Sequence, residues 1–513
     1  MNTHPAIVLC TLNAKYIHAS LGLRYLLANM QDLSAQTVLR EFTIARDPHE
    51  VVDEIAALGP RIVGLGIYIW NVAASTEVVR LLKRTHPEIK VVLGGPEVSH
   101  EVGEQDIAAL ADYVITGWGD ISFYKLCHAL LFGPAPLMRV IPGEQPALDQ
   151  IQLPYAHYTN ADLAHRVVYV EASRGCPFRC EFCLSALDKT AWAFDIDRFL
   201  DAMDALYQRG ARNFKFVDRT FNLKTSSATR ILQFFLDRLA PTLFVHFEVI
   251  PDHLPAPLKA LIALFPPGTL QLEVGVQTFN AQVQQRIARK QDNDKTIENL
   301  RWLLTHSHAH VHADLIFGLP GETLESFAAG FDQLVALGPH EIQLGLLKRL
   351  RGTPIARHTQ DHGMVYDNQA PYSVQCTGVL DRQAVQQFVR LARYWDLIAN
   401  SGRFPVTLEH LLRGASAYAA FSAWSDWLWA STGKTSGLAP EQLVDALWDY
   451  LTSVRGFAPQ AAREWLRIDY LASGARANPA CLRGALPERA PAAGRAGATR
   501  SRRQERHGAS GPP

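Results

Sequence analysis

Between residue 7 and about residue 131, short apolar runs alternate with stretches whose apolar positions recur every three or four residues. AIVLCTL, RIVGLGIYIW, KVVLGGPEV and DYVITGWGD have the length and β-branched content of buried strands, whereas SLGLRYLLANM and VVRLLKRT have helical spacing. Strand and helix in alternation predict an α/β domain, a doubly wound, Rossmann-like parallel sheet with helices on both faces. Ligands of such sheets bind beyond the carboxyl ends of the strands. Gly64 and Gly66 in one strand, and Gly94 and Gly95 after another, would let a ligand approach the backbone there.

The proline-rich stretch GPAPLMRVIPGEQPALDQIQLPYAHY then reads as an extended linker wrapped over the surface. Alternation resumes at Arg166 with RVVYVEAS, FKFVDRTF, TLFVHFEVI, TLQLEVGVQ, VHADLIFGLPG and EIQLGLLKRL. Six strands in series with helices between them predict a partial (β/α)6 TIM-like barrel, with its chemistry at the C-terminal rim. Beyond residue 355 the pattern is mainly helical and rich in Trp and Tyr, and from Arg476 it is Arg, Ala, Gly and Pro with few large apolar residues. The predicted organisation is therefore 1–135 sheet domain, 136–165 linker, 166–355 barrel, 356–475 helical domain and 476–513 disordered tail.

Composition narrows the class of partner. The 513 residues are 48% hydrophobic and 19% charged, with 50 basic and 50 acidic side chains. Zero net charge gives no global attraction to nucleic acid or to a membrane surface, so neither is expected as a partner. No apolar run reaches the roughly 18 residues of a bilayer span, and MNTHPAIVLC lacks a signal core, which predicts a cytoplasmic location.

Four of the seven cysteines, Cys10, Cys127, Cys376 and Cys481, are scattered singly and read as small buried hydrophobes rather than a disulfide framework. The other three, Cys176, Cys180 and Cys183, crowd into SRGCPFRCEFCLSALDK on the loop after RVVYVEAS. Three soft thiolates on one loop suit a transition metal or an iron-sulfur cluster. A structural zinc would close with a fourth protein ligand, for which His157 and His165 are candidates. An electron-transfer cluster would also take four. A cluster held by three keeps one iron open for a substrate.

CxxxCxxC with the aromatic Phe182 before its last cysteine resembles the signature of the radical S-adenosylmethionine enzymes, over about residues 166–355. The resemblance implies a [4Fe-4S] cluster on Cys176, Cys180 and Cys183 whose open iron chelates S-adenosyl-L-methionine. Its reduction, by a partner such as flavodoxin or ferredoxin, then yields a 5'-deoxyadenosyl radical. Asp218 in DRTFN stands where relatives place the acceptor of the methionine ammonium. Glu248 in FEVIP, Gln277 in VGVQTFN, Arg289 in RIARK and Asp314 in DLIFGLPGE resemble the S-adenosylmethionine contacts of the coproporphyrinogen-oxidase-like branch. A carboxylate suits the ammonium and a guanidinium the carboxylate.

The preceding domain, with LGGPEVS and ADYVITGWGD, resembles the cobalamin-binding domain of the class with this domain order, and implies a corrin near Gly94 and Gly95. Where many cobalamin proteins read Asp-x-His-x-x-Gly, this chain has Tyr16 and Leu21 around His18, which removes the carboxylate that orients an axial imidazole. The expectation is cobalamin without a histidine ligand. NAKYIHASLGLRYL and ARYWDLIANSGRF resemble a bacterial branch whose C-terminal domain has no known function. The implied activity is a radical enzyme, possible chemistries being methylation of an unreactive carbon, rearrangement or cyclisation, or methylthiotransferase-like modification. An iron-sulfur or zinc sensor is the non-enzyme alternative. No motif identifies the substrate.

Overall fold

In the computed structural model of the protein, which describes residues 4–486 and 506–507, the run IVLCTLN forms strand β1 (Ile7–Asn13) with every residue buried. Successive side chains of a strand point to opposite faces. Val8, Cys10 and Leu12 accordingly enter one apolar cluster, and Ile7 and Leu9 the other. Only a sheet covered on both sides buries a strand in this way.

The covered sheet has the order β2-β1-β3-β4-β5-β6, with β2 Thr37–Thr43, β3 Ile62–Gly66, β4 Lys90–Gly94, β5 Tyr113–Thr116 and β6 Val140–Pro142. Each of its pairings is parallel. The chain reverses direction across the sheet at β1, so β1 and β3 flank the switch point where such folds leave a crevice. Helices α1 Leu21–Ala28, α2 Pro48–Ala56, α3 Val72–Thr85, α4 Asp106–Leu110 and α5 Ser122–Phe132 connect the strands. Ser20 caps α1, its hydroxyl accepting from the Leu23 N–H, and Asp47 caps α2 ahead of Pro48 at the first helical position.

Two features depart from the sequence reading. Strand β2 was not expected, because Arg40 and Glu41 interrupt its apolar run. The proline-rich segment is more than a surface wrap: it adds β6 to the sheet, buries Ile151, Tyr155 and Tyr158, and ends in helix α6 (Asn160–His165). Both departures meet at Arg24. Its guanidinium, 2% exposed, lies 2.9 Å from both Glu41 and Asp162, and Arg166 closes the cluster at 2.6 Å from Glu41. A buried guanidinium thus turns β2 inward at Glu41 and fastens α6 to the sheet domain.

The chain resolves into two compact units, Met1–Arg219 with Lys348–Ala356 and Asp367–Ser373, and Thr220–Leu347 with Arg357–Tyr366 and Val374–Pro513. In the first, β7 Val168–Val170 pairs parallel with β10 Asn213–Phe216, and β8 Ser173–Arg174 pairs antiparallel with β9 Trp192–Ala193. In the second, β11 Phe244–Val249, β12 Leu270–Gln277, β13 His310–Phe317 and β14 Glu341–Leu346 run parallel. All six strands read in the second alternation are therefore present. The helical region follows, beginning with Arg382–Ile398, whose Phe388 stacks 4.1 Å from Phe317 of β13.

Cys10 and Cys127 are fully buried as expected, while Cys376 and Cys481 are only partly so. The tail from Arg476 falls mostly outside the described residues. No helix among the described residues is long and apolar enough to cross a membrane.

Removing one partner of a buried ion cluster leaves the others charged in a medium that solvates them poorly. Arg24→Met should therefore destabilise the first unit by about 3–5 kcal/mol, read from urea denaturation. A change under about 1 kcal/mol would show that the cluster is not holding α6 and β2 in place.

Candidate active site

The three clustered cysteines lie on a loop that is almost without regular structure between β8 and β9. Its closure is set by backbone contacts. The Cys176 N–H donates to the Asp188 carbonyl at 3.1 Å and the Cys183 N–H to the Cys180 carbonyl at 3.0 Å. Gly175 has φ +84°, and a Cβ there would fall 2.2 Å from the Thr190 carbonyl oxygen, so only glycine permits this closure. Cys176 and Cys180 are buried, whereas Cys183 and Phe182 are partly exposed.

Burial pushes the Cys176 thiol up to about 11; the nearby Cys183 and Cys180 push the same way, while Arg219 pulls it down. Among the described residues, no three His, Cys, Asp or Glu side chains are grouped to hold a single metal ion, His157 and His165 included. Zinc gathers its donors at about 2.0–2.3 Å from one centre. A cluster instead takes each thiolate on a different iron, which suits soft sulfur donors.

Two side chains fix the entrance to this loop. Asp218, just past β10 and only 4% exposed, accepts the Ala172 N–H at 2.9 Å and the Ser173 hydroxyl at 2.5 Å. Burial pushes its carboxyl up to about 7, against those two hydrogen bonds. Arg174 donates to both oxygens of Asp120, at 2.8 and 3.1 Å, and to Glu171 at 2.7 Å. The rings of Tyr25 and Trp118 lie 4.4 and 4.8 Å from its guanidinium carbon. Burial opposes the charge of Arg174, but Glu171 and Asp120 outweigh it.

Beyond the carboxyl ends of β3, β4 and β5, the first unit holds a cavity of about 300 Å³. Gly22 of α1, Gly64, Tyr68, Gly94, Gly95 and Trp118 line it, and Glu171 and Arg174 complete the wall. Gly94 leaves space, since a Cβ there would meet only the Ile115 carbonyl at 3.8 Å. Gly95 is glycine for an internal reason as well: φ is +107° and a Cβ would lie 2.5 Å from the Ile67 carbonyl. The adjoining Glu97 is fastened by Tyr372 at 2.5 Å and Arg351 at 3.2 Å. This volume suits a slender group such as a nucleotide tail more than a whole corrin. His18 is not in the cavity wall; its Nδ1 lies 2.7 Å from the Tyr169 hydroxyl.

In the second unit, three of the other expected residues collect around Gly275 of β12. Gly275 stands opposite Asp314 in register, and its carbonyl accepts from Arg289. A Cβ on Gly275 would lie 2.6 Å from Gln277 Nε2, and Gln277 itself has φ +68°. Arg289 is further held by Gln291 at 2.8 and 3.0 Å, and Asp314 lies 3.5 Å from His312. Glu248 pairs in register with Glu273, two positions before Gly275 on the same face.

Period-two alternation along β11, β12 and β13 gives that face His246, Glu248, Glu273, His312 and Asp314, with His246 3.1 Å from Glu273, and Gln277 follows a register shift after Gly275. Gly275, His246 and His312 were not singled out from sequence, although the alternation was there to find them, and Glu273 was set aside because its face depends on the strand register. Arg174 was also passed over, despite its place beside the first cysteine, because its partners Asp120, Tyr25 and Trp118 are distant in sequence.

Comparison with known proteins places these sites in families. Residues 7–126 match the B12 binding domain, residues 170–334 the Radical SAM superfamily, and residues 360–494 a protein family of unknown function, DUF4080. The chain thus carries a B12-binding domain followed by a radical SAM domain, the order its motifs implied. It is 26% identical over 334 residues to 2-(S-pantetheinyl)-carbapenam-3-carboxylate methyltransferase of Streptantibioticus cattleyicolor, covering 56% of this chain and 47% of the relative.

It is also 33% identical over 101 residues to the oxygen-independent coproporphyrinogen III oxidase of Cereibacter sphaeroides, 19% of this chain and 22% of that one. The chain spans about half the length of the curated methyltransferases it matches. In fold it resembles the radical S-adenosylmethionine methyltransferase TsrM from Kitasatospora setae, solved with cobalamin and a [4Fe-4S] cluster bound. That likeness has a TM-score of 0.58 at 16% identity and covers 92% of this chain and 100% of that one.

A carboxyl raised from 3.8 to about 7 on folding favours the folded state below its unfolded value, and that contribution is lost as pH rises through about 7. In cluster-free, reduced protein, wild type should lose up to roughly 4 kcal/mol against Asp218→Asn between pH 4 and pH 8. Parallel stability profiles for the two proteins, followed by urea midpoint, would contradict the burial of a charged Asp218.

Proposed function

We propose that this protein is a cobalamin-dependent radical S-adenosylmethionine methyltransferase acting on an unreactive carbon of a substrate whose identity its motifs do not reveal. The observation that carries the reading is the position of Arg174. It lines the cavity of the sheet domain and stands two residues ahead of Cys176, so that cavity and the cysteine loop share a wall. Two cofactors held by one wall serve one reaction.

Cys176, Cys180 and Cys183 would hold a [4Fe-4S] cluster, and the donor set fits it: three thiols on one short loop, two of them buried, with a neighbouring Arg219 to offset the charge of thiolates. When bound, the cluster supplies the electron that cleaves S-adenosylmethionine, and the corrin carries the methyl group. Phe182 stands beside the last cysteine. Asp218 holds Ala172 and Ser173, and with them the approach to Cys176; its carboxylate is also the candidate acceptor for the methionine ammonium.

Gln277, Arg289 and Asp314 around Gly275, with Glu248 on the same face, offer the donors and acceptors that S-adenosylmethionine needs. Gly94 and Gly95 would admit part of the cobalamin, and the pairing of His18 with Tyr169 supports a corrin without a histidine ligand. A flavodoxin or ferredoxin is the fitting reductant. Rearrangement and methylthio transfer remain the competing reactions; Cys10 and Cys127, both buried in the apolar clusters of the sheet, are not placed to bind the second cluster that methylthio transfer uses.

Anaerobic reconstitution with iron, sulfide and hydroxocobalamin tests the proposal. Wild type should hold about four irons and one cobalamin per chain and release 5'-deoxyadenosine with S-adenosylmethionine and reductant. Cys176→Ala should lose most of that release, and His18→Ala should leave the cobalamin absorbance spectrum unchanged. Zinc in place of iron, or protein that emerges colourless from gel filtration after hydroxocobalamin, would overturn it.

A further inference from the structure

Arg174 is placed to do more than fill a wall. On the cavity side its guanidinium is gripped by Asp120 through two hydrogen bonds and faced by the ring of Trp118, and both of those residues line the cavity themselves. On the other side, the chain from Arg174 to the first cysteine has no slack. Gly175 sits against the Thr190 carbonyl with no room for a Cβ, and the Cys176 N–H is tied to the Asp188 carbonyl. Any shift of Trp118 or Asp120 on filling the cavity is therefore passed through a buried, bidentate ion pair to the backbone that carries Cys176. The planar fork of an arginine resists rotation about such a pair, which a lysine ammonium does not.

We propose that Arg174 is a positioning residue that couples the two cofactor sites, so that occupancy of the cavity by cobalamin changes how firmly the cysteine loop presents its cluster to S-adenosylmethionine. The inference rests on the functional reading above. Coupling is reciprocal: a corrin that tightens S-adenosylmethionine binding is itself held more tightly when S-adenosylmethionine is present. An ion pair that only stabilises the fold would alter stability but not this reciprocity.

The experiment measures hydroxocobalamin affinity by visible absorbance in cluster-reconstituted protein, with and without S-adenosylmethionine, for wild type, Arg174→Lys and Asp120→Asn. Asp120→Asn keeps the shape of the partner and serves if Arg174→Lys folds poorly. Iron content confirms that each variant carries its cluster, and the electron paramagnetic resonance signal of the reduced cluster is recorded with and without cobalamin. Wild type should show an affinity ratio of about fivefold or more and a cobalamin-dependent change of signal. In the variants the ratio should fall to about one and the signal should no longer respond, with cobalamin still bound.

Variants that keep the wild-type ratio, or wild type with no ratio at all, would overturn the inference while leaving the functional reading intact. Wild type that binds no cobalamin would overturn that reading and the inference with it.

Discussion

A loop of eight residues cannot set the positions of its own three thiols. Between β8 and β9 there is too little hydrogen-bonded structure to do so, and the shape of the Cys176–Cys183 loop is imposed at its entrance. Asp218 holds Ala172 and Ser173 from the end of β10, and Arg174 is clamped by Asp120 and Glu171. These contacts put carboxylates and a guanidinium in largely dry surroundings, where unpaired charge is costly and paired charge is directional. The soft thiols are thus seated on a stiff polar frame, which a precisely spaced cofactor requires.

The same division of labour recurs elsewhere. In the sheet domain, both faces of β1 are apolar and make the core, while Gly66 and Gly94 leave room at the carboxyl ends of β3 and β4, where the cavity lies. In the second unit, one face of β11, β12 and β13 is apolar, and the other carries Glu248 and Asp314 with His246, Glu273 and His312. Gly275 does there what Gly94 does in the first unit, clearing space at a strand end so that polar side chains can converge. Stability comes from the faces that exclude water, and the polar side chains gather where glycine leaves room.

Local chemistry was legible in the sequence, and long-range chemistry was not. CxxxCxxC is visible because its residues are neighbours, and the strands of both sheets other than β2 and β6 are visible from their runs or alternations of apolar residues. TVLREFT escaped notice because the charges of Arg40 and Glu41 look like solvent exposure until Arg24 is seen to neutralise Glu41. The proline-rich segment looked like a surface wrap because its anchors, Ile151, Tyr155 and Tyr158, are isolated apolar residues without a period. Asp218 was found as a residue but not in its hold on Ser173, and Asp120, Trp118 and Tyr25, which meet Arg174, lie 54 or more positions upstream of it, beyond the reach of any motif.

The account turns on one claim, that three protein thiolates leave an iron free for the substrate. Electron-nuclear double resonance of the reduced cluster, with S-adenosylmethionine carrying a 15N-labelled methionine amino group, tests it directly. The account predicts a hyperfine coupling from that nitrogen, appearing only when the labelled molecule is added and showing it bound to the open iron. A cluster that shows no such coupling, with a fourth protein ligand in that place, would contradict it.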